Sequence, residues 1–323
     1  MSFISVILAL LLEQARPLKR GNIIHATMRA WVRWCTRTLD AGRPMHGWLV
    51  WGLAVGGPAL AALAIYLLLQ FLVGWPLAVL WSALVLYASL GFRQFSFHFT
   101  QIRDALAAGD DALANRLLAD WLRTEAIDLP RTEIIGRVIE NSVLASHRHV
   151  FAVLVWFSVL AALGLGPLGA VLYRLAEFVV RYWQHQSESN HQPVSVALMF
   201  DARKAWDVMD WLPARATAIS FAVVGNFEEA IDAWRRYAQQ GSPSNDGLVL
   251  AATGGAVNIA LRGTDTRPYP PTQAAAAPLL DDVLAGRPTP ELPHLAIVVG
   301  LVWRTVVMWV LLLALLTLAR LLG

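Results

Sequence analysis

The stretch VFAVLVWFSVLAALGLGPLGAVLYRLAEFVVRYW, residues 150–183, decides the fold. It is apolar nearly throughout, and about 20 such residues cross roughly 30 Å of hydrocarbon. Uninterrupted, the run reads as one tilted membrane crossing. The segment GLGPLG at 164–169 instead cuts it into two arms of about 14 residues, each too short to span alone. A Gly/Pro break at depth suits a re-entrant hairpin that returns the chain to the side it came from. A single kinked crossing is the other reading, and it would leave residues 184–294 outside the cell. The hairpin keeps them with the cytoplasmic segments.

The rest of the chain supports an all-α, polytopic integral membrane bundle with cytoplasmic helical segments. Of its 323 residues 57% are hydrophobic and 15% charged, with 14 Trp, too apolar for an ordinary water-soluble domain. Three further stretches are expected to span: 48–73, the shorter Trp-flanked 76–90, and 295–319. The opening MSFISVILALLL is apolar but too short to cross. It lacks a basic leader and a small-residue cleavage site, so it is expected to stay attached, at the interface or against the bundle.

Charge then orients the chain. Arg16, Lys19, Arg20, Arg29, Arg33, Arg37 and Arg43 face only Asp40 between positions 14 and 46, which makes this loop cytoplasmic. The pI of about 9.3 reflects such membrane flanks, and a nucleic-acid role is set aside. A single cysteine, Cys35, excludes an internal disulfide and any multi-cysteine metal site.

Residues 92–124 read as two helical arms broken at Gly109-Asp110, and further helices are expected at 197–221, 227–239 and 247–261. The Pro/Ala-rich 262–293 reads as an extended loop. Arg304 stands inside the last apolar run, so it should face inward or mark the true start of the span. In sequence order the chain divides into an N-terminal part (1–93), a central region (94–294) containing the hairpin, and a terminal membrane helix (295–323).

Three polar clusters could carry chemistry. In RVIENS, Arg137 and Glu140 can pair at i,i+3 beside Asn141, either as one wall of a site or as an ion-paired helix end. In DARKAWDVMDWLPARATA, residues 201–218, Arg203, Asp207 and Asp210 share a helix face, and Pro213 opens a turn that presents Arg215 and Thr217. Carboxylates beside guanidiniums suit a Mg²⁺-bridged phosphate, while an interfacial salt-bridged helix explains the same residues. In GSPSNDG, residues 241–247, a turn opens a helix whose free N–H groups could hold an anion or simply be capped. No Walker A loop, dinucleotide fingerprint or GxSxG is present. His147 and His149 are spaced wrongly for zinc and read as interfacial anchors.

In order, these segments resemble the CobD/CbiB family of membrane-bound adenosylcobinamide-phosphate synthases. ALAAGDDALANRLLADWL is similar to that family's helical pair, RVIENS to its V-x-EN motif, and GLGPLGAVLYR to its hairpin ending in Tyr-Arg. WDVMDWLPARATA resembles its D-x-x-N-x-x-PARLT segment, and SPSNDGLVLAATGGAV its SPN-x-G run. The resemblance implies a multi-pass protein of the bacterial inner membrane, in contact with lipid and with room for a homo-oligomer. It also implies ATP- and Mg²⁺-dependent amide formation between a corrinoid carboxylate and the amine of an amino-alcohol or its phosphate. Carried over residue by residue, Glu140, Asn141 and Asp207 would be catalytic, and Glu140, Asp207 and Asp210 would hold the metal. Arg174, Arg203, Arg215, Ser242 and Asn245 would bind substrate or phosphate. The chain departs from the pattern at Leu144-Ala145, where the family has Asp-Gly, and in LAEFVVRYW after Tyr173-Arg174. MDWLPARATAISFAVVGNFEEAIDAWR resembles AmpE, a membrane regulator tied to β-lactamase induction in the same superfamily, so a sensor without turnover is the alternative expectation.

Overall fold

A computed structural model describes residues 2–15, 23–40, 44–122, 128–188, 194–240, 243–263 and 280–322. Ser242, the basic positions Arg16, Lys19, Arg20 and Arg43, and the RPYPPTQAAAAP segment lie outside the described residues. Among those described there is no strand. The first helices are α1 (Ser2–Ala15), α2 (Ile23–Leu39), α3 (Pro44–Leu72) and α4 (Trp75–Ser89). α5 (Phe92–Ala107), α6 (Asp111–Leu122) and α7 (Arg131–Ser146) follow; α7 runs through a π-helical turn, His147–Phe151, into α8 (Ala152–Ala162). After α9 (Leu168–Glu188) and α10 (Val196–Val224) come α11 (Phe227–Ala238), α12 (Asn245–Val257), the short α13 (Leu280–Val283) and α14 (Leu292–Leu322).

Three of these stretches are long and apolar enough to cross a membrane: Gly47–Leu72, Arg131–Ala162 and Leu292–Ala319. This is a membrane protein, but the set of spans differs from the one expected. α4 has 15 residues, about 23 Å at 1.5 Å per residue, and is too short. Its place is taken by 131–162, because the first arm of the hairpin does not begin at Val150. It continues α7, which the polar face of RVIENS had disguised.

Contacts group the chain into two units that interleave along the sequence, rather than into consecutive segments. The first holds residues 1–91, 152–212 and 312–323, the second 92–151 and 213–311. In the first unit α1 lies against α4, with the Ser5 hydroxyl donating to the Val79 carbonyl at 3.2 Å. α8 and α9 form a hairpin at GLGPLG, but its first arm is continuous with α7 and so is longer than the 14 residues expected. Its turn depends on Gly166, at φ +53°, where a side chain would also meet the Tyr66 ring. A methyl on Gly169 would run into the Trp156 backbone carbonyl, so the two arms touch backbone to backbone. Val32, Val50, Ala54, Val179 and Leu198 join α2, α3, α9 and α10 in one core around the fully buried Trp183. Burying an indole leaves its N–H to be satisfied, and the Thr36 hydroxyl accepts it at 2.9 Å.

The second unit begins with the α5–α6 hairpin, broken where expected. Gly109 takes φ +79°, and Asp110 accepts from the Leu113 N–H at 2.9 Å to start α6. α11 is capped by Asn226, with Glu228 and Glu229 in its first turn and Arg235 and Arg236 in its last, each favourable to the helix dipole. α11 and α12 approach closely because Gly255 lies on the backbone of Glu229 and Ala230. α12 ends at Asn258, the one described non-glycine residue with positive φ, at 57°. There the almost fully buried Arg287 side chain donates to the Gly254 and Gly255 carbonyls and pairs with Glu229, closing the negative end of the helix. Pro213 opens no new turn; it lies inside α10, which runs through it.

Candidate functional site

In the second unit, the segment that follows RVIENS meets PARAT and SNDG through His147 and Arg148, and the π-helical turn decides how. An inserted residue widens the helix and re-aims the side chains that follow. His147 and Arg148 consequently point into the unit. His147 is completely buried, and its Nδ1 lies 2.9 Å from the Thr217 hydroxyl on α10, a hydrogen bond whose donor follows the imidazole tautomer. The Arg148 guanidinium donates to the Asp246 carboxylate in the first turn of α12, with only 13% of the arginine side chain exposed. The expectation of interfacial anchors at this His-Arg-His is therefore corrected for its first two members.

The start of α12 is built by its neighbours. The Ser244 hydroxyl accepts from the Gly247 N–H at 3.1 Å, and the Tyr237 hydroxyl lies 3.1 Å from Ser244 Oγ. Any side chain at position 247 would collide with Tyr237, which explains the glycine of SNDG. Arg215 donates to the Asn245 side-chain carbonyl across a long 3.4 Å. Two guanidiniums, from Arg148 and Arg215, thus converge on one helix N-terminus, the arrangement that suits a phosphate or carboxylate. The expected pair Arg215 and Asn245 is brought together. Arg148, His147 and Asp246 were missed, since their pairing depends on a π-turn that no spacing rule signals, and Tyr237 was missed because it reaches Ser244 from another helix.

Glu140 occupies a different place from the one expected. It is 3% exposed, and its Oε1 accepts from the backbone N–H groups of Arg262 and Gly263 at 2.8 and 2.9 Å. Arg137 does not pair with it; the guanidinium reaches back one turn to Glu133 at 2.7 Å, as helical side chains slant toward the N-terminus. Asn141 is half-buried beside Glu140 on α7.

The remaining predicted residues belong to the first unit. Glu177, 5% exposed, receives Arg174 at 2.7 Å and Arg181 at 2.8 Å from the same helix. Asp210 is completely buried and accepts from the Tyr173 hydroxyl at 2.7 Å, beside Trp206. Asp207 is exposed, and Arg203 half-buried. The two aspartates therefore do not present a shared surface: one faces the core, the other does not. Among the described residues no three His, Cys, Asp or Glu side chains come together to hold a metal. Glu140 belongs to the second unit, and Asp207 and Asp210 to the first. Cys35 is buried, and burial pushes its thiol above the usual range, away from nucleophile chemistry.

Comparison with known proteins places these motifs. A family model described as "CobD/Cbib protein" matches residues 6–302. A cobalamin biosynthesis protein CobD from Chromobacterium violaceum is 31% identical over 220 residues, covering 66% of this chain and 67% of that protein. The CobD of Stutzerimonas stutzeri is 30% identical over 275 residues, 83% of this chain and 81% of the relative. That of Leptospira interrogans is 25% identical over 196 residues, 59% of each chain. No solved structure matches. A match of nearly the whole chain identifies this protein as a member of the CobD/Cbib family.

Proposed function

We propose that this chain acts in cobalamin biosynthesis, joining a corrinoid carboxylate to the amine of an amino-alcohol phosphate at the cytoplasmic face of the bacterial inner membrane. The observation that carries the reading is the convergence on the first turn of α12 of Arg148, resting on Asp246, and Arg215, reaching Asn245, with the turn itself fixed by Ser244 and Tyr237. A phosphate seated there would meet two guanidiniums and a helix dipole, fixing the amino-alcohol by its non-reacting end. Binding energy spent at that end orients the amine for attack.

A carboxylate and an amine do not condense unaided in water. ATP supplies the activation in this reading: one carboxylate oxygen leaves on the transferred phosphoryl group, giving amide, ADP and phosphate. Mg²⁺ would arrive on the nucleotide phosphates, and no step is assigned to a metal held by protein carboxylates. Glu140 acts as a positioning residue, pinning the segment 262–263 rather than touching the reacting atoms. The buried His147–Thr217 pair holds α10 against the π-turn and so sets the direction of Arg215.

The test is amide formation by the purified protein in liposomes with cobyric acid, aminopropanol phosphate and Mg-ATP, followed by mass spectrometry. Arg215→Ala is expected to raise KM for the amino-alcohol phosphate at least about tenfold, the loss of a charge-assisted contact of 1.4 kcal/mol or more. Aminopropanol without its phosphate should be insensitive to that substitution. Binding of the phosphate without any amide product would sink the synthase and favour a sensor of the AmpE kind.

A further inference from the structure

The geometry points to Arg304 as a lipid-phosphate contact that fixes the membrane face at the middle of α14, a dozen residues beyond the start of the apolar helix. Length sets up the problem. α14 has 31 residues, about 46 Å at 1.5 Å per residue, against roughly 30 Å of hydrocarbon. Part of it must lie outside, although its sequence is apolar from end to end. Hydropathy alone would place the crossing at Leu292–Ala319, which puts Arg304 near the bilayer centre, where an unpaired charge is costly.

The surface of the helix resolves this. Leu295, Val298, Leu301, Val302, Thr305 and Val306 are buried at helical spacing. Trp309, on the adjoining face, donates its indole N–H to the Ser220 hydroxyl at 3.0 Å. Ile297, Val307 and Leu311 are 45%, 54% and 59% exposed, and Arg304 is exposed within that outer stripe. Its side chain does not turn inward. It runs back along the helix, with Nε donating to the Gly300 carbonyl at 3.2 Å. Gly300 has nothing within 4 Å of the position a Cβ would take, so this face of the helix is open. The guanidinium is thereby carried toward the N-terminal end, the snorkelling posture of an arginine just inside an interface. Trp303, 41% exposed beside it, suits the same level.

From Arg304 to Arg320 is 16 residues, about 24 Å. The Arg304 side chain, running outward from one end, brings this closer to the thickness of the hydrocarbon layer. Leu292–Trp303 then stands clear of the hydrocarbon, and its outer face meets headgroups and water.

Depth measurements on the full chain test this. Single nitroxide labels are placed through Ala296→Cys, Ile297→Cys, Val307→Cys and Leu311→Cys in liposomes of phosphatidylethanolamine and phosphatidylglycerol, with buried Cys35 left in place. Positions 296 and 297 are expected to collide with a water-soluble nickel chelate, and 307 and 311 with oxygen alone. Arg304→Leu should draw position 297 into the oxygen-accessible zone, while Arg304→Lys leaves the profile unchanged. Chelate-inaccessible labels at 296 and 297 in the wild-type background would overturn the proposal, because the crossing would then begin near Leu292. Chelate collisions at 307 and 311 would overturn it equally, and neither result depends on the Arg304 variants folding.

Discussion

A buried glutamate in each unit is satisfied in an opposite way. In the first, Glu177 is satisfied by Arg174 and Arg181, three residues before it and four after it on one helix. In the second, Glu140 is satisfied by backbone amides more than 120 residues away, Arg148 by Asp246 and His147 by Thr217. Local pairs of the first kind ask little of the tertiary fold, since neighbouring turns present them in any helix. Pairs of the second kind form only when three helices take one relative position. The motif residues of the second unit therefore depend on the fold, as does Asp210 of the first unit through Tyr173, while the α8–α9 hairpin of the first unit rests on backbone proximity.

That proximity gives the largest expected effect. Gly169→Ala should cost about 3 kcal/mol, because its methyl meets the Trp156 backbone, which cannot move aside as a side chain could. Thermal unfolding in mild detergent would measure it. Gly52→Ala is the control: a Cβ there meets nothing within 4 Å, and the helix should gain about 0.5 kcal/mol. Equal behaviour of the two would break the backbone-contact account of the hairpin.

Next come the carboxylates. Glu140→Ala should cost about 2–3 kcal/mol, since two backbone amides lose a charged, buried acceptor, and Glu140→Gln about half of that. Glu177→Gln should cost less, about 1 kcal/mol, because Arg181 is 53% exposed and can turn to water. A larger loss at Glu177 than at Glu140 would reverse the comparison. A double-mutant cycle of Arg148→Met with Asp246→Asn should give a coupling of about 1–2 kcal/mol, whereas a coupling near zero would mean the start of α12 is held by Ser244 and Tyr237 alone. The smallest effect is kinetic: Cys35 should resist maleimide at neutral pH while the protein is folded, since burial and the raised thiol pKa both suppress the thiolate. Prompt labelling without unfolding would place α2 outside the core.

Much of this was legible beforehand because it is local. GLGPLG reads as a turn, Gly109-Asp110 as a helix break, and the apolar runs as membrane helices, since each follows from backbone preference and hydropathy over a few turns. The order of the motifs also identified the family. The third stretch long enough to span was hidden because a polar face on α7 and a π-turn masked the continuity of 131–162. The partner of Arg137 was misread for a related reason: i,i+3 and i,i+4 neighbours are both available on a helix, and only the distant amides of Arg262 and Gly263 take Glu140 out of the choice.

By itself, then, the sequence determined that this chain is an all-α membrane protein with a helical hairpin, and which segments carry polar motifs. Only the tertiary structure decided which polar groups meet. It sent Asp210 into the core and left Asp207 exposed, turned His147 and Arg148 inward, and laid Arg304 back along its helix. The physical reason is that periodicity limits which residues share a face, while the rotation of each helix about its axis is set by packing against partners distant in the chain.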